Sequence, residues 1–307
     1  MKNALHIDKV KIQTVKGGQI YLRRLEPENS KAVVLFLHGL GNNGDTFLKN
    51  DRGLANFLYE QGYACYIPDM IGHGESWPHL NQHLDHTVSD ILNEDLPRIF
   101  HEVSRHLNGR PLLLVGQDFG STLLMAAYAR YPNLRNMVRG FVHFSARRTT
   151  AHSDLNRNPI KTIFWQRLLP LFARKSRVVP LNLLSDFNEP ESLQWYQRWV
   201  AWSNGPWVDD GDNFDYSAAM KTLVLPSSLY IAANQNKYRC DIADARAFMM
   251  EQGRHDARLV IVGKRQGNLH QYNDRELLEH RHASKDHFPL ILDWLDSCID
   301  VEYQQAI

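Results

Sequence analysis

A single aspartate stands between two glycines where an apolar run of the sequence ends. The run Leu113-Leu114-Val115 leads directly into Gly116-Gln117-Asp118-Phe119-Gly120. In the pattern G-x-nucleophile-x-G, the glycines let the chain turn so sharply from strand to helix that the middle side chain stands exposed above the sheet. An ionised carboxylate can itself attack an electrophilic carbon. Because an aspartate before a helix is also a common N-cap, this pattern alone leaves both interpretations open.

Two glycine-rich segments upstream follow apolar runs of the same kind. The first, 38–44, begins with His38-Gly39-Leu40-Gly41 and follows the run 32–37. Backbone N–H groups in such a loop can point at a developing oxyanion. The second segment, 68–76, reads Pro68-Asp69-Met70-Ile71-Gly72-His73-Gly74-Glu75-Ser76.

Taken together and in this order, the three segments resemble the motifs of the α/β-hydrolase superfamily. Its members carry H-G after the third strand, D-x-x-G-H-G-x-S after the fourth, and G-x-nucleophile-x-G after the fifth. The nearest likeness is to hydrolases similar to lysophospholipase, monoacylglycerol lipase and serine aminopeptidase. The resemblance implies an α/β-hydrolase fold with a mostly parallel eight-stranded sheet and helices on both faces. It also implies an oxyanion hole formed by the backbone N–H groups of Leu40 and Phe119.

The resemblance further implies a histidine after the last strand and an acid after the strand before it. His270, in Gly267-Asn268-Leu269-His270, matches the place of the histidine, with His280, His282 and His287 as competitors. Asn236 matches the place of the acid, and Asp241 is a weak alternative because a helix-start aspartate is more often a cap. The chain therefore departs from the family twice, with Asp118 in the place of serine and Asn236 in the place of aspartate.

Two classes of function are compatible with this set. In the first, a cofactor-independent hydrolase acts on an ester-like small molecule, such as a lipid-derived one, with Asp118 as nucleophile, His270 as base and Asn236 orienting the imidazole. In the second, a catalytically impaired relative binds a small apolar ligand. An epoxide-hydrolase-like enzyme is a third, weaker reading, while the absence of Trp next to Asp118 argues against a dehalogenase.

The remaining sequence predicts the elements that position these residues. Apolar runs at 32–37, 63–67, 111–115, 140–144, 228–233 and 258–262 alternate with helical patterns, which indicates a mostly parallel sheet covered by helices. Residues 10–25 indicate two earlier strands that turn at Gly17-Gly18, and the last helix is predicted from about Asp286 to Ile299.

Residues 150–220 contain no strand-like run and are rich in Trp, Leu and Pro, which predicts a helical cap inserted into a core domain formed by 1–149 and 221–307. Trp195 and Trp199 fall on one helical face of this cap. With His38 and Gln117 they are the predicted lining of an apolar substrate pocket. Two small basic clusters border the cap, Arg147-Arg148 and Arg174-Lys175 with Arg177. They are interpreted as solvated surface, with recognition of an anionic head group as the alternative.

Composition restricts the partners. With 35 Lys+Arg against 34 Asp+Glu, the formal net charge is +1, which argues against a nucleic-acid partner. We expect a small apolar or acyl-containing substrate, no cofactor, no metal and no transmembrane segment. Three Cys with no C-x-x-C pair and no apolar leader favour a cytoplasmic protein. The oligomeric state is left open.

Overall fold

Eight strands form one twisted sheet in a computed structural model that describes residues 7–50, 52–80, 84–149, 159–184, 187–234 and 240–305. The strand order is β1-β2-β4-β3-β5-β6-β9-β10, in which β1, β2 and β4 pair antiparallel and all the others pair parallel. This confirms the predicted mostly parallel eight-stranded sheet. The strands are β1 Asp8–Gln13, β2 Gln19–Leu25, β3 Ala32–Leu37, β4 Tyr63–Asp69, β5 Leu112–Gln117, β6 Val138–Phe144, β7 Val178–Val179, β8 Glu191–Ser192, β9 Ser227–Ala233 and β10 Ala257–Val262.

Helices cover both faces of the sheet because its central strands are apolar on both sides. In β3 every residue is buried, with Val33, Leu35 and Leu37 in one hydrophobic core and Val34 and Phe36 in the other. The helices are α1 Asp45–Leu48, α2 Leu54–Glu60, α3 Val88–Asp90, α4 Leu96–Ser104, α5 Phe119–Arg130, α6 Pro132–Met137, α7 Pro159–Ile163, α8 Leu169–Phe172, α9 Leu181–Leu184, α10 Leu193–Asn204, α11 Tyr216–Lys221, α12 Ile242–Glu251, α13 Glu276–Glu279, α14 Ala283–Asp286 and α15 Phe288–Gln305.

The segment between β6 and β9 lies over the loops at the carboxyl ends of the strands. Its Glu191 accepts a hydrogen bond from the backbone N–H of Gly41, which follows β3. The Trp202 ring lies 5.9 Å from that of Phe119, which follows β5. This segment, hereafter the intervening segment, therefore borders the edge of the sheet where the predicted site residues gather.

Two details of the intervening segment and the C-terminus differ from the sequence prediction. The segment is not free of strands, because β7 pairs antiparallel with β8. Two-residue strands carry no periodicity that a sequence pattern could reveal. The last helix, α15, starts two residues later than expected and extends to Gln305, after the separate short helix α14. The division into a core and a cap at 150–220 stays a prediction, and residues 150–158 of that cap lie outside the described residues.

Candidate active site

Asp118 occupies a strained turn between β5 and α5. Its backbone dihedral angles are φ 48° and ψ −120°, a combination that residues other than Gly rarely adopt. The backbone N–H of Asp118 donates to the Phe144 carbonyl at 2.9 Å, and its own carbonyl accepts from Ser121 N–H at 3.1 Å. These two bonds hold the turn rigidly at the carboxyl end of the sheet.

Neighbouring backbone atoms come so close to the two glycines beside Asp118 that no side chain fits there. A Cβ at Gly116 would lie 2.6 Å from the Ser121 Cα, and one at Gly120 would lie 2.3 Å from the Leu37 carbonyl oxygen. Both distances are shorter than any real contact, so larger residues would force the turn apart. The geometry of a nucleophile elbow is therefore retained around a carboxylate.

Arg147 provides the positive charge nearest to Asp118. Its Nε lies 3.6 Å from Oδ1 of Asp118, and the two residues are only 3% and 5% exposed. The Arg147 guanidinium also lies over the Trp199 ring, 5.3 Å from its centroid. A buried carboxylate needs such a counter-charge because burial removes its hydration.

The interpretation of Arg147 and Arg148 as solvated is wrong. Both are buried, and Arg148 pairs with Glu251 at 2.6 Å. Arg147 follows β6, which pairs with β5, and the carboxyl ends of adjacent parallel strands meet at one edge of a sheet. This neighbourhood places Arg147 close to Asp118.

The glycine-rich loop after β3 lies directly against Asp118. A Cβ at Gly39 would meet Cβ of Asp118 at 2.8 Å and its Oδ2 at 3.2 Å, and Leu40 next to it is buried. On the other side of Asp118, Phe119 is buried against Trp202. The structure thus brings the segments of the predicted oxyanion donors, Leu40 and Phe119, to the same turn.

His38 and Gln117, which the sequence assigns to the pocket, are buried and bonded to the loops. The Nδ1 of His38 lies 3.0 Å from the Gly39 carbonyl, and its Nε2 accepts from Met70 N–H at 3.0 Å. Burial, followed by the charge of His73, lowers the pKa of His38 to about 4. The Gln117 side chain accepts from Asn42 at 3.4 Å.

His73 and Glu191 form a buried ion pair beside this loop. Nε2 of His73 lies 3.3 Å from Oε2 of Glu191. Burial alone would lower the pKa of His73, but the charge of Glu191 and its hydrogen bond, together with the charge of Glu189 and the Ile71 carbonyl, outweigh burial and raise that pKa to about 9. The Trp195 ring lies 5.3 Å from that of His73, with their planes tilted by 36°, and the Trp195 indole N–H donates to the His86 carbonyl.

His270 is placed on the outer side of the loop after β10. Its Nε2 lies 3.5 Å from Oε1 of Glu276, and its ring stacks on that of His280 with centroids 3.8 Å apart. Among the described residues, no ion pair joins His270 to Asp118. The ligand atoms of His270, Glu276 and His280 lie within 4.8 Å of one another, so these three side chains could hold a metal ion such as Zn²⁺.

Asp274 is the residue of this loop that reaches the carboxyl ends of the strands, and the sequence did not single it out. Its buried carboxylate accepts hydrogen bonds from the Ser145 hydroxyl and from Cys240 N–H. Burial, followed by the charge of Asp274, raises the pKa of the Cys240 thiol, and the charge of Asp118 adds to the effect. Asp274 and Asp118 therefore face the same buried thiol.

The predicted acid position falls in a segment that the structure does not describe. Asn236 lies outside the described residues. Asp241, the weak alternative, accepts a hydrogen bond from Ala243 N–H at 3.0 Å and so caps α12.

Comparison with known proteins places this site in a familiar fold. The family model for the alpha/beta hydrolase fold matches residues 32–168. A soluble variant of monoglyceride lipase from Saccharomyces cerevisiae superposes with a TM-score of 0.69 at 15% identity, covering 97% of this chain and 96% of that one. An esterase from Exiguobacterium antarcticum gives 0.59 at 14% identity, covering 94% and 100%. The chain therefore has the α/β-hydrolase fold.

A curated relative matches only a part of the chain. Lipase member M of Mus musculus is 23% identical over 124 residues, which are 38% of this chain and 29% of the mouse protein. This chain thus aligns with less than a third of that relative's length. Within the described residues, none of the helices is both long enough and apolar enough to span a bilayer.

Proposed function

We propose that this protein is a hydrolase of small acyl-containing, lipid-derived substrates, with Asp118 as its nucleophile. The observation that carries the proposal is the strained turn that holds the Asp118 carboxylate under the Gly39 loop. Unfavourable backbone geometry persists where the surroundings enforce it, and such sites cluster at catalytic centres. The lipase and esterase similarities agree with an acyl substrate.

The chemistry divides into two displacements. An Asp118 oxygen forms a bond to the electrophilic carbon of the substrate, while the leaving oxygen departs with the electron pair. The N–H groups of Leu40 and Phe119 stabilise the oxyanion. Water then attacks Cγ of Asp118 and gives a proton to His270, while the bond between Cγ and the oxygen carried by the product breaks with its electron pair. The product acid leaves with the former Asp118 oxygen, Asp118 keeps an oxygen from water, and the proton on His270 returns through solvent to the alkoxide released in the first displacement. Arg147 compensates the Asp118 charge before and after the reaction.

Turnover in H₂¹⁸O tests the Asp118 step. Intact-mass and peptide mass spectrometry should find ¹⁸O in Asp118 after several turnovers, and Asp118→Asn should show neither turnover nor label. A panel of esters, lactones and epoxides covers the electrophiles that a carboxylate attacks. No turnover and no label across this panel would rule out the hydrolase.

The role of His270 needs its own test because its ring pairs with Glu276 in the structure. His270→Gln should slow the second step, so that the covalent intermediate accumulates on Asp118 and becomes visible by intact mass. His282→Gln, a change at a half-buried histidine whose ring stacks on the other side of His280, is the matched control. Wild-type turnover in His270→Gln would remove His270 as base and leave Asp118 as nucleophile untouched.

One observation favours a second candidate, a relative that binds a small apolar ligand without turning it over. The counter-charge of Asp118 is an arginine, and the inward residue of the loop after β10 is the carboxylate of Asp274 rather than an imidazole. An arginine keeps its proton at neutral pH and so accepts none from water, and the Asp274 carboxylate already accepts hydrogen bonds from Ser145 and Cys240.

Restoring the missing groups tests this second candidate. A fluorophosphonate probe should leave the native protein unlabelled, whereas Asp118→Ser with Asn236→Asp, alone or with Asp274→His, should gain labelling. Saturable binding of a non-hydrolysable monoacylglycerol ether, with no product from the ester, would establish binding without hydrolysis. Labelling of native Ser121 would overturn both candidates.

A further inference from the structure

The part of the intervening segment from 159 to 184 differs in charge from the rest of the chain. It contains Lys161, Arg167, Arg174, Lys175 and Arg177 and not one Asp or Glu. The whole chain carries a net charge of only +1, so these 26 residues concentrate positive charge that is balanced elsewhere. A local field of this sign attracts an anionic partner.

The same stretch carries most of the exposed apolar side chains. Of the eleven large apolar residues that are strongly exposed in the described part of the chain, six lie here, with exposures from 39% to 79%. They are Ile160, Ile163, Leu168, Leu171, Phe172 and Leu183. Single exposed apolar residues need no explanation, but a cluster on one element marks an interaction surface.

The helical part of the stretch is apolar on two sides. It runs without a break from α7 through a π-helical turn, Phe164–Leu168, into α8. One side is held to the protein, because Leu169 is buried and the Tyr196 hydroxyl donates to the Trp165 carbonyl at 2.8 Å. The opposite side presents Ile160, Ile163 and Leu171 at helical spacing. A helix with apolar side chains on all sides is normally surrounded on all sides by protein core or lipid.

The exposed cations of the stretch have no acidic partner within the part of the chain that the structure describes. Arg167, Arg174, Lys175 and Arg177 are exposed, and no carboxylate of the described residues forms an ion pair with any of them. In the sequence these four cations lie between the exposed apolar residues Ile163 and Leu183.

We infer that the exposed face of 160–183 docks on the surface of an anionic lipid bilayer. We call it the docking face, defined by Ile160, Ile163, Leu168, Leu171, Phe172 and Leu183 with Arg167, Arg174, Lys175 and Arg177. Apolar side chains that enter the headgroup region together with flanking cations are the composition of an interfacial helix. An acidic protein surface would pair with the cations, but it would not explain the exposed apolar side chains next to them in the sequence. This inference is independent of the proposed chemistry at Asp118.

Co-sedimentation with sucrose-loaded vesicles tests the docking face without using activity. The full chain should bind vesicles of phosphatidylcholine and phosphatidylglycerol at 7:3 and bind pure phosphatidylcholine much more weakly. Raising NaCl from 50 to 500 mM should reduce the binding, because salt screens charges beyond a few ångströms. No binding to the anionic vesicles would overturn the inference.

Two double variants separate the apolar and the charged contribution. Leu171→Ser with Phe172→Ser should lower the partition coefficient at least tenfold. Arg174→Glu with Lys175→Glu should lower it about 30-fold or more, since each cation near an anionic surface contributes roughly fivefold. All four positions are exposed, so circular dichroism and urea unfolding should match the wild type.

Matched controls lie on other surfaces. Val224→Ser with Met250→Ser removes equally exposed apolar groups, and Lys264→Glu with Arg265→Glu reverses a neighbouring pair of exposed cations. Neither control should change the partition. Loss of binding in the Glu variant but not in the Ser variant would overturn the bilayer assignment in favour of an acidic protein, and equal loss in the controls would overturn the docking face itself.

Discussion

Oε2 of Glu191 lies 3.3 Å from Nε2 of His73, and both side chains are completely buried. Oε2 of Glu191 also accepts the Gly41 N–H at 2.9 Å, and its Oε1 accepts the Ser192 N–H at 2.7 Å. One carboxylate thus joins the intervening segment to the loops after β3 and β4. The glycine-rich loop beside Asp118 is therefore bonded to a carboxylate that lies more than a hundred residues away in sequence.

Glu191→Gln should destabilise the protein by about 3 kcal/mol at pH 7. The change keeps the size of the side chain but removes the charge nearest to His73 in a buried site, where breaking an ion pair costs about 3–5 kcal/mol. Urea unfolding measures the difference. Glu189→Gln is the matched control, because Glu189 accepts neutral hydrogen bonds from Asn43 and Gly74 and is only half-buried. It should cost about 1 kcal/mol, and equal losses in the two variants would contradict a role for the ion pair.

The same pair predicts a pH dependence of stability. The pKa of folded His73 is raised to about 9, above the ordinary value of 6.5. A raised pKa stabilises the folded state fully below pH 6.5, and this contribution is lost as the pH rises towards 9. The free energy of unfolding should therefore fall on the order of 3 kcal/mol from pH 6.5 to 9. His38, whose pKa is lowered to about 4, contributes its own loss only below pH 6.5 and lies outside this window.

Urea unfolding at half-unit steps from pH 6.5 to 9 measures this decline. In Glu191→Gln the decline between pH 6.5 and 8 should be much smaller, because His73 has lost its nearest counter-charge. Above about pH 8 both proteins should lose some stability, because burial raises the pKa values of the thiols of Cys65, Cys240 and Cys298 and these thiols ionise first in the unfolded chain. Glu189, whose charge also faces His73, makes a smaller contribution to the raised pKa. An equally steep decline in Glu191→Gln would assign the pH dependence to other groups.

The sheet could be predicted from sequence because burial on both faces leaves a continuous apolar run, as in Ala32–Leu37. The turn at Asp118 could be predicted because its glycines are a local requirement. The pairing of side chains that are far apart in sequence could not be predicted. Nothing near Arg147 or Glu191 in sequence specifies which charge each one meets in the folded chain.

The loop after β10 illustrates the same limit. His270 and Asp274 both follow the last strand, and a resemblance of motifs favours the histidine because of its chemistry. Which of them turns inward depends on the packing of the loop: the Tyr272 hydroxyl and the Leu269 N–H both bond to Asp286, while Asp274 bonds to Ser145 and Cys240. Sequence spacing does not determine this choice.

The strain at residue 118 predicts an unusual order of stability. Asp118→Gly should be more stable than Asp118→Ala by about 1 kcal/mol or more, because glycine adopts φ 48° and ψ −120° without penalty. Both variants lose the same carboxylate, so the difference isolates the backbone. At Asn133, in α6, the same Ala-to-Gly comparison should have the opposite sign, because glycine weakens a helix. Urea unfolding decides the order, and a more stable Asp118→Ala would mean that the turn is not strained.

Gly39→Ala should distort the candidate site as well as destabilise the fold. The new methyl group would lie 2.8 Å from Cβ of Asp118 and 2.9 Å from the Gln117 carbonyl oxygen, so the turn itself has to move. Overpacking of this kind costs about 1–3 kcal/mol. Gly205→Ala is the matched control, since its methyl group would meet only the Ala201 carbonyl oxygen at 3.2 Å, and its unfolding free energy should change by less than about 1 kcal/mol. Because Leu40 follows Gly39, Gly39→Ala should also reduce turnover of any ester substrate by more than its loss of folded protein explains. Unchanged turnover and stability in Gly39→Ala would contradict the close packing of the glycine-rich loop against Asp118.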